Sequence, residues 1–226
     1  MDRLGAMHFS PMQHYRMICL IGVDGSGKTT LINALEEQLR AHNTPYIHIW
    51  SRFRNYISKP FLLLMRITRH TRKENHNGVK IGYHNFQNNA LIAYAFLALQ
   101  WVDNLLDIFF RYRLNTSHLI VGDRCIFDTL VDLIIDTDKE ALVLGKYGTS
   151  LLNLLPKPHL IIMVERNSAA LFAGRPDVKL DRHFARRVEL YKRLAERYNL
   201  PILHNDGTLE ESVKIIQNWI WKRTSS

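Results

Sequence analysis

Five short apolar runs punctuate the chain: YRMICLIGV (15–23), PYIHIW (45–50), HLIVG (118–122), HLIIMV (159–164) and LPILHN (200–205). Runs of this length, bounded by turn residues, fit strands buried on both faces. The segments between them carry helical spacing. LINALEEQLRAHN places Leu31, Leu35 and Leu39 on one face and closes at Asn43, so it predicts a helix following the first strand. Alternation of this kind predicts an α/β fold, a parallel sheet covered by helices on both faces in three layers, with ligands at the carboxyl ends of the strands. The longest apolar stretch, ALIAYAFLAL (90–99), is broken by Gln100, Asp103 and Asp107. It falls short of the ~20 residues a bilayer span needs and predicts a core helix. The least regular part is 51–80, where Lys and Arg surround the apolar core from Phe61 to Met65. Its polar end, TRKENHNG, predicts a mobile loop.

The chain has 226 residues, 46% of them hydrophobic, enough for one substantial core and a single domain over 1–226. Neither an internal repeat nor a low-complexity tract is present. The formal net charge of +9 favours anionic partners: phosphate compounds, nucleic acid or an anionic membrane surface. Cys19 and Cys125 have no metal-ligand spacing, and residues 1–14 form a polar lead-in without an apolar signal core. A reducing, cytoplasmic setting is expected.

The segment GVDGSGKT, Gly22 to Thr29, matches G-x-x-x-x-G-K-[ST] between a strand and a helix, the context a phosphate-binding loop requires. Gly22, Asp24, Gly25, Ser26, Gly27, Lys28, Thr29 and Thr30 are therefore the candidate nucleotide site. The glycines let successive N–H groups converge on phosphate, and the helix adds its positive end. Lys28 supplies a charge and Thr29 a hydroxyl for Mg²⁺, with ATP as donor. No N-K-x-D guanine-reading motif occurs in the chain.

LIVGDR (119–124) ends a strand on Asp123, placed to reach the metal region together with Thr29, and on Arg124, placed to clamp a phosphate. After the fourth strand, residues 165–197 carry Arg166, Arg175, Arg182, Arg186 and Arg187 around a break at GRPD. Arginines on a closing loop stabilise a transferred phosphoryl group and exclude water. Arg175 and Arg182 flank the break and are the candidates. Arg186, Arg187, Lys192 and Arg193 read as a solvated basic face.

In order along the chain, GVDGSGKTT, LIVGDR, KPHLIIMVERNSAALFAGRPD, the spacing from Arg175 to Asp181-Arg182, and HNDGTLEESVKII resemble the landmarks of the thymidylate kinase family, from about residue 15 to the end. The resemblance implies a five-stranded parallel sheet with a lid. It also implies Mg²⁺-dependent transfer of the γ-phosphoryl group of ATP to a nucleoside monophosphate, dTMP in that family, and commonly a homodimer. It assigns acceptor-side helices to 51–115 and the lid to 166–182. By the same likeness Asp24, Arg52 and Arg124 contact the acceptor and Thr208 lies near the adenine.

Two departures bear on the acceptor. The family carries a further arginine about twenty residues before the Asp-Arg pair, where this chain has Trp101, Val102 and Asp103. After that pair it has a Ser and then an Ala-Tyr-Gln run, where this chain has Asp128 and then Val131, Asp132 and Leu133. Carboxylates accept from hydroxyls, so a sugar or lipid-linked sugar is an alternative acceptor, with Asp128 or Asp24 as general base. In the plainer reading Asp128 caps the following helix while Asp132 and Asp136 form its wet face. Outside kinase chemistry, KPFLLLMRITRHTRK could serve as a basic amphipathic membrane anchor. Nucleic acid is disfavoured, because no recognised binding module is present.

Overall fold

The computed structural model describes residues 15–51, 55–76, 79–115 and 118–221. The chain opens with β1 (Met17–Ile21), whose five residues are all buried, then α1 (Lys28–Ala41) and β2 (Tyr46–Trp50). Next come α2 (Ser58–Ile67), a β3 (Thr71–His76) and β4 (Val79–His84) hairpin, and α3 (Ala90–Asp107), which continues as wider helical turns over Ile108–Arg113. β5 (Leu119–Asp123) leads into α4 (Ile126–Thr137), and the short α5 (Glu140–Leu142) and α6 (Gly148–Leu152) precede β6 (His159–Glu165). The chain finishes with α7 (Ser168–Gly174), α8 (Phe184–Tyr198), β7 (Ile202–His204) and α9 (Leu209–Trp221).

Five strands form one parallel sheet in the order β2-β5-β1-β6-β7. The chain steps from β1 outward to β2, returns to fill the gap with β5, and then crosses to the other side of β1 with β6. The crevice at the carboxyl ends of β1 and β5 is thus the switch point where ligands collect in such sheets. Register brings Trp50 level with Asp123, and Leu20 level with Asp123 on the other side.

Alternate residues of β1 face two separate cores, as a strand period of two requires. Ile18 and Leu20 pack with Leu31, Leu35 and Leu39 of α1 and Val213 and Ile216 of α9. Met17, Cys19 and Ile21 pack with α3, α4 and α8. The apolar stretch at 90–99 is helical, as its spacing predicts, and Asn89 caps it by accepting from the N–H groups of Leu91 and Ile92. Taken with the turns that continue it, Ala90–Arg113 is long and apolar enough by composition to cross a membrane. Ala93, Phe96, Leu97, Gln100, Asp103 and Asp107 of this helix are nonetheless buried.

The expectation of a mobile loop in TRKENHNG is corrected for Thr71–His76, which pairs antiparallel with Val79–His84; Asn77 and Gly78 lie outside the described residues. The signal was the Asn77-Gly78 dipeptide, since such a pair favours a two-residue hairpin turn. The second correction concerns α4. All twelve of its residues are buried, including Asp132 and Asp136, so it has no wet face.

Candidate active site

The strand β1 ends against the glycine loop. Gly22 has φ +139°, and a Cβ there would lie 2.5 Å from the carbonyl oxygen of Val164. Gly25 and Gly27 have φ +85° and +95°, conformations that only glycine adopts without strain. The loop therefore curls tightly into the first turn of α1. Lys28 is buried and its Nζ donates to the carbonyls of Gly22 at 2.9 Å and Val23 at 2.7 Å. Burial, helped by the neighbouring Arg124, pushes its pKa down to about 8, against the attraction of Asp128, Asp24 and Asp123.

Thr29, one residue into the helix, donates its hydroxyl to Asp123 Oδ2 at 2.8 Å. A hydroxyl and a carboxylate side by side at a phosphate loop are hard oxygen donors. This fits Mg²⁺, which takes one or two carboxylates plus substrate phosphates rather than an all-protein cage. Among the described residues no group of three or more His, Cys, Asp or Glu is placed to hold a metal.

Arg124 adopts φ +74°, a left-handed backbone that costs a residue of this kind roughly 1–3 kcal/mol. Its surroundings hold it there. The backbone N–H donates to the Leu20 carbonyl at 3.2 Å, Nη1 donates to Asp128 Oδ1 at 3.2 Å, and Nη2 pairs with Asp24. Burial works against the charge, but Asp128 and Asp24 outweigh it and hold the guanidinium above its ordinary pKa. Asp128 is buried, and that burial raises its pKa despite Arg124, Lys28, the Tyr191 hydroxyl and the Cys125 N–H.

The segment after β6 reaches the loop through α7. A Cβ on Gly25 would lie 3.2 Å from Leu171 Cγ and 3.3 Å from Arg175 Cβ. Asp24, Gly25, Gly27, Lys28, Thr29, Thr30, Trp50, Asp123, Arg124, Arg166 and Arg175 line one cleft of about 430 Å³. A second cleft of about 390 Å³ is lined among others by Val23, Arg166, Leu171 of α7, Phe184 and Asp206. Arg175 is exposed and donates twice to Asp177, at 2.9 and 2.8 Å. Arg182 lies elsewhere, donating to Asn85 Oδ1 at 3.2 Å and to His183.

Several expectations change here. Arg187 is not on a solvated face: it is partly buried, paired with Asp132 and donating to Asp181 Oδ2 at 2.9 Å. Arg186 and Arg193 do lie toward solvent, both paired with Glu140. Thr208 caps α9: its hydroxyl accepts from Glu211 N–H at 3.2 Å, while its own N–H donates to the Glu211 carboxylate at 2.9 Å. Arg52 lies outside the described residues.

The carboxylates that suggested a hydroxyl acceptor are occupied. Asp103, in the window where the resemblance puts an arginine, accepts from the N–H groups of Ile57 and Ser58 at 2.6 and 3.0 Å and from the Ser58 hydroxyl. Asp107 accepts from the Ser51 and Tyr56 hydroxyls, both at 3.2 Å. Asp128 caps α4 by accepting from Cys125 N–H at 3.0 Å while it holds Arg124. These acids shape the site from within.

One residue near the loop was not anticipated. Asn205, at the end of β7, donates from Nδ2 to the Ser26 carbonyl at 2.8 Å and accepts from the Ser212 hydroxyl at 2.8 Å. Its signal was a side-chain amide directly after the last strand, in HND.

No protein-family profile matches the chain. A curated relative, the probable thymidylate kinase 1 of Saccharolobus solfataricus, is 24% identical over 212 residues, covering 89% of this chain and 97% of its own length. The structure of thymidylate kinase from Candida albicans superposes with a TM-score of 0.57 at 16% identity, over 93% of each chain. The fold is that of a P-loop kinase.

Proposed function

We propose that this chain, a thymidylate kinase-like P-loop kinase by sequence and by fold, transfers the γ-phosphoryl group of ATP to a nucleoside monophosphate, with dTMP the first acceptor to test. One observation carries the reading: a single cleft brings together the phosphate loop, the Thr29–Asp123 pair, Arg124 and the lid residue Arg175. Phosphoryl transfer needs positioning and charge stabilisation more than covalent help from the protein, and these groups supply both.

In this reading the loop N–H groups from Gly25 to Thr30 and the Lys28 ammonium hold the ATP phosphates. Thr29 and Asp123 would hold Mg²⁺, which neutralises developing charge between the β- and γ-phosphates when bound. Arg124 orients the acceptor phosphate, whose oxygen is already anionic and attacks the γ-phosphorus without a general base. The bond to the bridging oxygen breaks and its electron pair leaves on ADP. Asp24 steadies Arg124, and Arg175 closes over the group in transit. Arg52 is assigned to the acceptor side by the family likeness, and Arg182 to the lid rim. Thr208 shapes the turn beside the adenine as the cap of α9.

We further assign one kinase domain over 1–226, a cytoplasmic setting that suits the two free thiols, and a homodimer. Leu91, Tyr94, Ala98, Val102, Leu105 and Phe109 recur at helical spacing along the outer side of α3 and its continuation, and none is buried. A self-complementary apolar stripe of this kind suits a two-fold interface. The test of the activity is ADP release with purified protein, ATP, Mg²⁺ and each nucleoside monophosphate in turn, followed by nucleosides and sugars. Turnover with dTMP is expected. Turnover with sugars alone would overturn the reading.

A further inference from the structure

The helix that follows the lid touches the acceptor arginine through one intermediary. Tyr191, in the middle of α8 and 3% exposed, donates its hydroxyl to Asp128 Oδ1 at 2.6 Å. The same oxygen accepts from Arg124 Nη1, and the other oxygen accepts from Cys125 N–H. One turn earlier on α8, Arg187 pairs with Asp132, one turn later on α4, and with Asp181 at the end of the lid segment. Two contacts therefore join α8 to α4 along crossing turns, and the inner one ends on Arg124.

We propose that Tyr191, acting through Asp128, is a positioning residue for Arg124, and that α8 thereby sets the acceptor arginine from the lid side of the molecule. The inference rests on the kinase reading above. Asp128 has two oxygens and three donors: the Tyr191 hydroxyl, the Arg124 guanidinium and the Cys125 N–H. Taking away the tyrosine hydroxyl leaves a buried carboxylate short of one donor, which favours its protonated form. A protonated Asp128 no longer offsets the Arg124 charge, and among the described residues the Asp24 pairing is then the one charged side-chain restraint left on the left-handed turn at Arg124.

The other groups facing Asp128 are fixed by separate elements. Lys28 comes from α1 and the Cys19 thiol from β1, while Asp132 and Arg124 face Tyr191 from α4 and the turn before it. Arg124 already donates to Asp128, and Lys28 directs its ammonium to the loop carbonyls. Neither is placed to stand in for the tyrosine hydroxyl.

The test compares Tyr191→Phe with Tyr198→Phe. Tyr198 lies on the same helix and donates its hydroxyl to the Leu144 carbonyl at 3.3 Å, so it controls for the loss of a hydroxyl from α8. Tyr191→Phe is expected to lower kcat/KM for the nucleoside monophosphate about tenfold, to leave KM for ATP unchanged, and to move the acid limb of the pH profile upward. Tyr198→Phe should change none of these. In an Asp128→Asn background, Tyr191→Phe should no longer move the acid limb. The Arg124 Nε resonance gives a readout that needs no turnover, shifting in Tyr191→Phe and not in Tyr198→Phe. If the two phenylalanine variants behave alike in kinetics and in this resonance, the positioning role is wrong. If wild-type protein turns over no nucleoside monophosphate while the resonance shift is seen, the contact stands and the kinase reading fails.

Discussion

Asp103 accepts the backbone N–H of Ser58 at 3.0 Å and its hydroxyl as well, joining the start of α2 to the buried face of α3 across 45 residues. It takes the Ile57 N–H too, so one carboxylate caps the helix that follows the β2 strand end. Asp103→Ala leaves the backbone N–H groups of Ile57 and Ser58 short of a partner, while the Ser58 hydroxyl keeps Asn55 Oδ1 at 3.0 Å. A loss of about 3 kcal/mol in urea unfolding is expected, with a rise in KM for the acceptor, because residues 55–58 lose their anchor. An unfolding midpoint within error of wild type would remove this role.

Burial pushes the Lys28 pKa down to about 8, and only its protonated form attracts phosphate. The fraction charged is high at pH 7 and falls as pH rises through 8, so kcat/KM for ATP should decline above that pH by about tenfold per unit. Lys28→Arg, whose charge persists, should flatten this alkaline limb even where activity is lower. Lys28→Ala should lose about 10²-fold or more in kcat. A wild-type profile that stays level to about pH 10, the range of an ordinary lysine, would contradict the assignment.

Gly27 is held from two sides, by its positive φ and by Asn205. A Cβ at this position would fall 2.2 Å from Asn205 Nδ2, so the asparagine must leave the Ser26 carbonyl. Gly27→Ala should lower the melting temperature by several degrees, roughly 2–4 °C for each kcal/mol lost, and weaken ATP binding measured calorimetrically. Pairing it with Asn205→Ala should recover part of the stability, since the clash is then gone, while the backbone strain stays.

The outer stripe of α3 predicts assembly. Replacing Ala98 and Phe109 together by glutamate places charges within the proposed two-fold contact, and sedimentation should then report a single chain in place of a dimer. Circular dichroism should be unchanged, because neither residue is buried. Wild-type protein sedimenting as a single chain at high concentration would count against the dimer.

The strands, the glycine loop and the Asp-Arg strand end were legible because each rests on local pattern: apolar runs, glycine spacing and a charged residue where a strand stops. The β3–β4 hairpin was hidden by its polar composition, although the Asn77-Gly78 dipeptide is a turn signal in its own right. The acids of α4 were misread because amphipathic logic assigns regularly spaced carboxylates to water. Here Arg124, Tyr191 and Arg187 come from the preceding turn and from a helix more than fifty residues later, and no local pattern encodes a partner at that distance. Asp103 and Asn205 were obscure for the same reason, since each satisfies backbone groups of a distant segment.

Because α4 is buried on every side, its apolar residues and its acids move as one body. Swapping Leu130 or Val131 for another core side chain would tilt Asp128 and Asp132 with it, and so would shift both arginines they hold. In the kinase reading, thermal robustness and choice of acceptor are therefore expected to change together. A laboratory selection for heat resistance that lands in α4 should return variants with altered acceptor preference, and a selection for a new acceptor should return repacked cores.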